Sequence, residues 1–586
     1  MILFIIVIRY QTVRKIDTIL IAMNRNNTLL SNRAENAVES VERTLALIAD
    51  SDDPGALVKE LAPYDLLVAW RLADDEQRTD LLRLADKEQA SCFFDLHCWS
   101  SYLPSLDDLE ATVKPLVLSG TGGALYTLDI LDVELRTLLL RRNVRVHLLE
   151  DRNDEISVSE GSEVISCPDG LYFLELLDPD SVSDVQRALL AALLIRPFEQ
   201  YQKEIECMRH DFPSELEETA LRWRLGRLAD LGFSSREDAI SLLVPRSVEE
   251  TRRLAEGSEN KFVPDTLNIA LPMLYRESIS GNDFLDRVLE VLAASTIAEV
   301  EKNTANLGAE LSAMISRFLA AVGLDISNLD DVGQGATQAR DILALGLAET
   351  AESDLERGAH LLMALPPSVF FQVGLGLVFP LRDRARKLLL DSRFASNSRP
   401  EAIFDPPHHV TLTCLAQDIP RRWPQLEQSD KPWIDPVVPQ KKELAAFCRR
   451  GEIAAAERLL TEAELLGSFL CDTLGCEMPP PEETPASVLV LTALANAANG
   501  HDPRPVPVTA EEAAFFKEQA LLMEPGLFAT DALAALLNTS RSSINDPTSP
   551  DEEPNSLLRL VLRLLLLGRA RLGAQTLEQA VLLEPI

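Results

Sequence analysis

Aromatic residues are scarce, at 5% of the 586-residue chain, so the core this sequence builds is aliphatic rather than aromatic. Basic residues fall well short of acidic ones, 56 against 92, and the net charge of −36 repels phosphate backbones instead of recruiting them by counterion release. Non-specific nucleic-acid binding is excluded on that ground. Cysteines at short paired spacing are missing: the eight present (Cys92, Cys98, Cys167, Cys207, Cys414, Cys448, Cys471 and Cys476) are scattered. That excludes a secreted disulfide framework and fits a reducing cytoplasm. No uninterrupted apolar run has the length of a membrane span. The nearest, Leu361 to Leu381, lacks charge but is broken by Pro366, Pro367, Gln372, Gly374 and Gly376. It reads as two buried helices around a Pro-Pro turn.

Catalytic signatures are absent as well. There is neither a Gly-x-Ser-x-Gly elbow nor a His-Glu-x-x-His helix, and the seven histidines lie far apart except for His408 and His409. Those two follow Asp405-Pro406-Pro407 and raise the question of a metal, but no His or Cys partner stands at zinc-ligand spacing. Ser119-Gly120-Thr121-Gly122-Gly123 lacks the Lys-Ser/Thr ending of a phosphate-binding loop and reads as an inter-helix turn, as does Gly333-Gln334-Gly335. Cys471 and Cys476 are too far apart for a redox pair and read as buried small apolar residues. No cofactor and no metal is implied.

What is present is an ordinary globular balance, 46% hydrophobic and 25% charged, rich in Leu and Ala and long enough for about three or four domains. The apolar stretch Met1 to Ile8 has no basic region before it, Arg9 follows it, and Asp17 interrupts the next run. Residues 1–22 therefore read as an over-extended start before Met23, with a weak peripheral anchor as the competing account. The phrase Leu-Ala-x-x-acid recurs at Leu61, Leu72 and Leu84. Asp74 with Gln77 and Asp86 with Gln89 read as N-caps with a residue that caps back, and Pro63 suits a first helical turn. Short helices of this kind bury their stripes only by stacking, which predicts a helical-repeat-like domain over 23–143.

Between residues 144 and 180 the pattern changes to strand: Val144 to Leu149, Glu163 to Ser166 and Leu171 to Leu176, with Pro168-Asp169-Gly170 as the turn. A helical domain is expected over 181–396, where Ser214-Glu215-Leu216-Glu217 reads as a capping box and Gly232 as the stop of the same helix. Prolines make 397–440 an irregular surface connector. A C-terminal helical domain, 441–586, is expected to contain a helical hairpin over Lys441 to Leu470, loops over Glu477 to Pro485 and Asp502 to Pro507, and a polar linker from Asn538 to Asn555. Its last helix, Leu557 to Leu567, is apolar nearly all round despite Arg559 and Arg563.

The capped helices at 61–99, the Pro-Asp-Gly hairpin with Leu171-Tyr172-Phe173-Leu174-Glu175, and the run Glu217 to Phe233 together resemble an uncharacterised bacterial family of unknown function over most of the chain. The resemblance implies a bacterial cytoplasmic origin. The first part is also similar to the helical-repeat N-domain of magnesium-transporter-type proteins.

The expected fold is mostly α, a multi-domain helical-repeat-like array with one small β-hairpin element near 144–176. The expected function is a non-enzymatic cytoplasmic scaffold or protein-interaction module with a protein partner, no nucleic acid and no integral membrane segment. An enzyme or small-molecule sensor with a pocket of dispersed residues is the alternative, and a cytosolic module docked to a membrane complex is a third reading. The candidate site lies on the helix from Ser214 to Leu231. A helical wheel puts Trp223, Leu216, Ala220, Leu231, Leu228, Leu221 and Leu225 on one apolar arc, with Glu217, Arg224 and Arg227 inside it. Arginines there must be paired, either as a partly buried ion pair or snorkelling stem at the arc's edge or as an anion site that uses the guanidinium fork.

Overall fold

In the computed structural model, helices begin where the sequence supplies caps. The description covers residues 43–583 except 101, 150–155, 231–232, 258–280, 295–296, 325, 327, 392–402, 425, 429–443, 477–483, 537–555 and 575. The expectations for residues 1–22, Gly232 and the linker 538–555 lie outside it, as does most of the loop expected over 477–485. The chain is mostly α, with two small antiparallel sheets. Its described residues fall into two compact units, one within Met1–Leu243, Val263–Gly281 and Leu289–Ala339, the other within Val244–Phe262, Asn282–Val288 and Arg340–Ile586.

The first unit opens with stacked short helices, Pro54–Lys59, Pro63–Leu72, Asp75–Leu84 and Lys87–His97. Asp74 and Asp86 each form a full capping box, the backbone N–H of Gln77 donating to Asp74 at 2.9 Å and that of Gln89 to Asp86 at 2.8 Å. Gln89 does more than cap. Its buried amide donates to the carbonyls of Val58 and Leu61, both at 2.8 Å, which ties the first helix to the fourth. The helix Leu106–Leu118 follows a two-stranded ribbon, Trp99–Ser100 with Leu103–Pro104, that the sequence did not announce. Gly120 then opens the helix Thr121–Ile130 with φ +128°, and a Cβ on Gly123 would stand 2.0 Å from the Leu116 carbonyl. The positive φ at Gly120 and the close approach at Gly123 account for two glycines of that turn, while a Cβ on Gly122 would meet nothing.

The three expected strands form one antiparallel sheet in the order Val144–Leu148, Tyr172–Leu176, Glu163–Ser166, with Val144 opposite Leu176 and Ser166 opposite Phe173. Asp169 shapes the turn by accepting the N–H groups of Leu171 and Tyr172 at 2.7 and 3.1 Å. Helices Asp184–Leu194, Phe198–His210 and Pro213–Asp230 follow. The last of these starts at Pro213, so Ser214 sits inside its first turn and is not the cap; proline at the first position supplies the start instead.

Three further expectations are corrected by packing. Gly333 and Gly335 lie inside the helix Leu329–Ala351, not in a turn; a Cβ on Gly335 would meet Leu319 at 2.3 Å, so the glycine admits a neighbouring side chain. In the second unit, residues 403–428 are not a surface connector. They carry the helix His408–Leu415 and bury Phe404, Asp405, His408 and Trp423. The expected hairpin near 441–470 is one helix, Arg450–Ser468, continued by a π-turn, because no breaker interrupts its apolar spacing.

The apolar run at 361–381 forms the helices Leu355–Ala364 and Pro367–Leu389, bent by 119° at the Pro-Pro step. Among the described residues no single helix is long and apolar enough to cross a membrane; this bent pair passes that test only when taken together. Its second helix packs backbone to backbone on Leu329–Ala351: a Cβ at Gly346 would lie 1.9 Å from the Phe370 carbonyl, and one at Gly374 2.1 Å from that of Ile342. Gly346→Ala should therefore force the helices apart and cost about 2 kcal/mol. A melting temperature unchanged by that substitution would refute the close crossing.

Candidate functional site

The helix Pro213–Asp230 packs on Val133–Leu140 and Lys87–His97. Its buried line runs through Leu216, Ala220 and Leu228, with Arg224 and Arg227 half-buried beside it. The wheel's arc is corrected at its edge: Trp223 is 58% exposed and Leu225 is exposed too, because the helix is turned to bring the arginines inward. Leu231 lies outside the described residues.

What draws the arginines in is Asp95, whose side chain is fully buried on Lys87–His97. Arg227 donates to it in bidentate fashion, Nε to Oδ2 at 2.6 Å and Nη2 to Oδ1 at 2.9 Å, and Nη2 also reaches Asp132 at 2.7 Å. Arg224 donates Nε to the Asp95 carbonyl at 2.8 Å and lays its guanidinium 4.7 Å from the Trp99 ring. Burial first, and the neighbouring Asp132 after it, push the Asp95 carboxyl above its ordinary value, and the hydrogen bonds and charge of Arg227 oppose them. Desolvation works against the Arg227 charge, but its hydrogen bonds to Asp95 and the field of the two carboxylates outweigh it. Glu217 is half-buried and pairs with neither arginine, while Glu218 meets Arg222 at 3.1 Å on the solvent side.

Beside this pair lies an open depression of about 460 Å³, with Lys87, Asp129, Asp132, Glu134, Trp223 and Arg227 on its walls. Arg136 lines its floor and forms a buried ion pair with Glu204, Nε to Oε2 at 3.0 Å. The cations that face the depression from Arg136 and Arg227 are thus already matched by carboxylates. These two guanidinium groups are therefore not free to take up an external anion.

In the small sheet, Glu175 is fully buried and accepts the Ser159 N–H at 2.6 Å and the His147 ring at 2.7 Å, with Arg145 at 3.3 Å. The Ser159 backbone bond first, then His147, holds its carboxyl down at about 2 against an ordinary 4.5. A depressed carboxylate stabilises the fold above its unfolded value and loses that contribution as pH falls through the window from 4.5 to about 2. The stability gap between the wild type and Glu175→Gln should be flat above about pH 5 and close across that window. Parallel stability curves from pH 5 to 2 would contradict it.

The second unit holds a different cluster, on segments distant in sequence. Asp405 accepts the Ser487 N–H at 2.7 Å and its hydroxyl at 2.6 Å, and lies 3.0 Å from Arg571. Ser487 is in the first turn of Ala486–Ala498, so this carboxylate satisfies a helix N-terminus from another segment. Complete burial pushes the Asp405 carboxyl up; Arg571 and Ser487 oppose it. His408, held neutral by burial, donates Nε2–H to Glu462 at 2.9 Å, and Glu462 also faces Arg563 at 3.3 Å and Arg559 at 3.8 Å. Burial works against the Glu462 charge, but the His408 hydrogen bond and the two arginines keep the carboxyl below its ordinary value. His408 is 2% exposed and Ser487 is fully buried. The cluster fastens the helix Ser556–Ala574 and accounts for Arg559 and Arg563 within its apolar stretch Leu557 to Leu567.

None of the eight cysteines is in a disulfide; Cys471 and Cys476 are half-buried rather than fully buried. Among the described residues no three His, Cys, Asp or Glu side chains stand together as metal ligands.

Asp95, Asp132 and Glu462 were missed by sequence reasoning, and Asp405 was met only as the carboxylate beside His408 and His409 in the metal question. Asp95 alone carried a signal, a carboxylate inside the run Cys92-Phe93-Phe94-Asp95-Leu96.

A mostly helical protein in two units, with internally neutralised buried charge, is the class these features define. A model of a family of unknown function, DUF6178, matches residues 27–579, and the chain belongs to that family. No curated protein and no solved structure matches it.

Proposed function

We propose that the protein is a non-enzymatic helical interaction module whose protein partner docks at the depression beside Arg227 and anchors on Trp223. The observation that supports this reading is the exposure of Trp223, 58% open to solvent on the wall of a polar depression. A large rigid aromatic left uncovered at a pocket wall is the kind of residue that carries binding energy when a partner desolvates it. The paired state of Arg224 and Arg227 belongs to the same reading: they act as a structural ion-pair cluster that holds the wall. Eight cysteines without a disulfide and the resemblance to a bacterial family support a cytoplasmic bacterial setting, and the net charge of −36 argues for a protein partner over a nucleic acid.

The test is affinity capture from a native-host extract with the full chain and with Trp223→Ala. An exposed position tolerates truncation within about 0.5 kcal/mol, so the variant should fold as the wild type does. The expected result is a partner whose recovery falls at least about tenfold with the variant. Equal recovery by both proteins, or no partner with either, would overturn the proposal.

A further inference from the structure

In the second unit the helix Ala510–Leu522 is fixed along one face and bare along the other. Thr509 and Glu512 close a capping box at its start, the Glu512 N–H donating to the Thr509 hydroxyl at 3.3 Å and the Thr509 N–H to the Glu512 carboxylate at 3.1 Å. At its end Arg569 donates to the carbonyls of Ala520 and Met523 at 3.2 and 2.6 Å. The helix packs on Ala486–Ala498, Ser556–Ala574 and Leu577–Ala580, and buries Ala513, Phe516 and Ala520. The fold thus uses both ends and one face.

The opposite face is apolar too. Phe515 is 53% exposed and Leu522 is 80% exposed, with Ala514 and Leu521 also open to solvent. At about 100° per residue, Ala514 with Leu521 and Phe515 with Leu522 make two rows along the helix, and Glu511 with Glu518 makes a third between them. Each row repeats at seven positions. That is the spacing at which one helix meets another along its length. A single exposed leucine is ordinary, but two apolar rows on a helix fixed at both ends form a seat for a second helix.

The acidic row selects the occupant. Among the described residues no cation pairs with Glu511 or Glu518. A second copy of the chain laid on this face would set carboxylate against carboxylate, and the net charge of −36 adds to that repulsion. An anionic lipid surface is repelled in the same way. A helix that carries lysine or arginine between its own apolar positions matches both the rows and the charge.

We propose that Ala510–Leu522 is the seat of a basic amphipathic helix of another protein, whose apolar side chains lie on Phe515, Leu522, Leu521 and Ala514 and whose cations reach Glu511 and Glu518. The proposal is independent of the docking site at Trp223, which belongs to the other unit.

Two fluorescein-labelled peptides of about 14 residues, enough for roughly four helical turns, test it on the full chain. Both contain only leucine and lysine in the same proportion; one sets its leucines along a helix face, and the other has the order scrambled. In about 0.15 M salt, which screens loose attraction to an acidic surface, the patterned peptide should bind saturably by fluorescence anisotropy and the scrambled one about tenfold more weakly. Phe515→Ser with Leu522→Ser and, separately, Glu511→Gln with Glu518→Gln should each weaken the patterned peptide about tenfold. All four positions are exposed, so both variants should keep the thermal unfolding curve of the wild type. The proposal falls if the two peptides bind equally, if neither binds saturably, or if either double variant leaves the affinity unchanged. It falls equally if the wild type forms a dimer in sedimentation velocity, or binds vesicles of phosphatidylserine and phosphatidylcholine, and Phe515→Ser with Leu522→Ser abolishes that association.

Discussion

Glu462→Gln will lower the stability of the protein by about 3 kcal/mol, because it removes the one carboxylate that His408, Arg563 and Arg559 share. Glutamine keeps the shape and can still accept one hydrogen bond, but it takes away the buried negative charge that Glu462 presents to two guanidinium groups, 13% and 27% exposed. The cost comes from stranding those charges, not from losing one contact, so replacing Glu462 alone should be worse than replacing Glu462, Arg559 and Arg563 together with apolar residues of similar volume. Thermal or urea unfolding followed by circular dichroism checks both statements. If the single variant is as stable as the wild type, or the triple variant the less stable of the two, the cluster does not fasten the helix Ser556–Ala574 in the way described.

Asp95→Asn should cost a similar amount, about 3 kcal/mol, in the first unit. The neutral amide cannot hold Arg227 as a bidentate anion does, although Asp132 still offers one contact at 2.7 Å. Arg224 is expected to stay in place, since it bonds to the Asp95 carbonyl and not to the side chain. The same variant separates an ion pair from an anion site. If the arginines serve as an internal pair, adding phosphate or sulfate to Asp95→Asn restores little; recovery of most of the lost stability by millimolar phosphate would favour the anion-binding alternative. An unfolding curve unchanged by Asp95→Asn would remove the basis for both readings.

Legibility followed the range of the interaction. Asp74 with Gln77, Asp86 with Gln89, and the Pro-Asp-Gly turn are complete within a few residues, so their chemistry is spelled out in the chain and the structure places them as written. The Pro-Pro break between 355–364 and 367–389 is legible for the same reason. Arg224 and Arg227 were legible as arginines that need partners, but the partner was not: Asp95 is 132 positions from Arg227, and no local spacing points to it. Glu462 was harder still, because Glu457, Glu462 and Glu464 on one helix look like an ordinary solvated face. The prolines of 397–440 misled because they forbid a long helix without forbidding burial, and a helix of eight residues fits between Pro407 and Pro420. Trp223 was assigned to the core on apolar character alone, whereas its neighbours' charges decided which face turned inward.

The separation of Asp95 from Arg227 also has a meaning in time. A ribosome adding roughly 5–20 residues each second makes Asp95 on the order of ten seconds before its partner arginine. Through that interval the carboxylate sits among Phe93, Phe94 and Leu96 with no cation to match it, and closing the helix over it would bury a bare charge. Before that segment arrives, the early helices can close only by burying the charge bare or by protonating it, and the arrival of Arg227 supplies the cation that lets them close over a carboxylate.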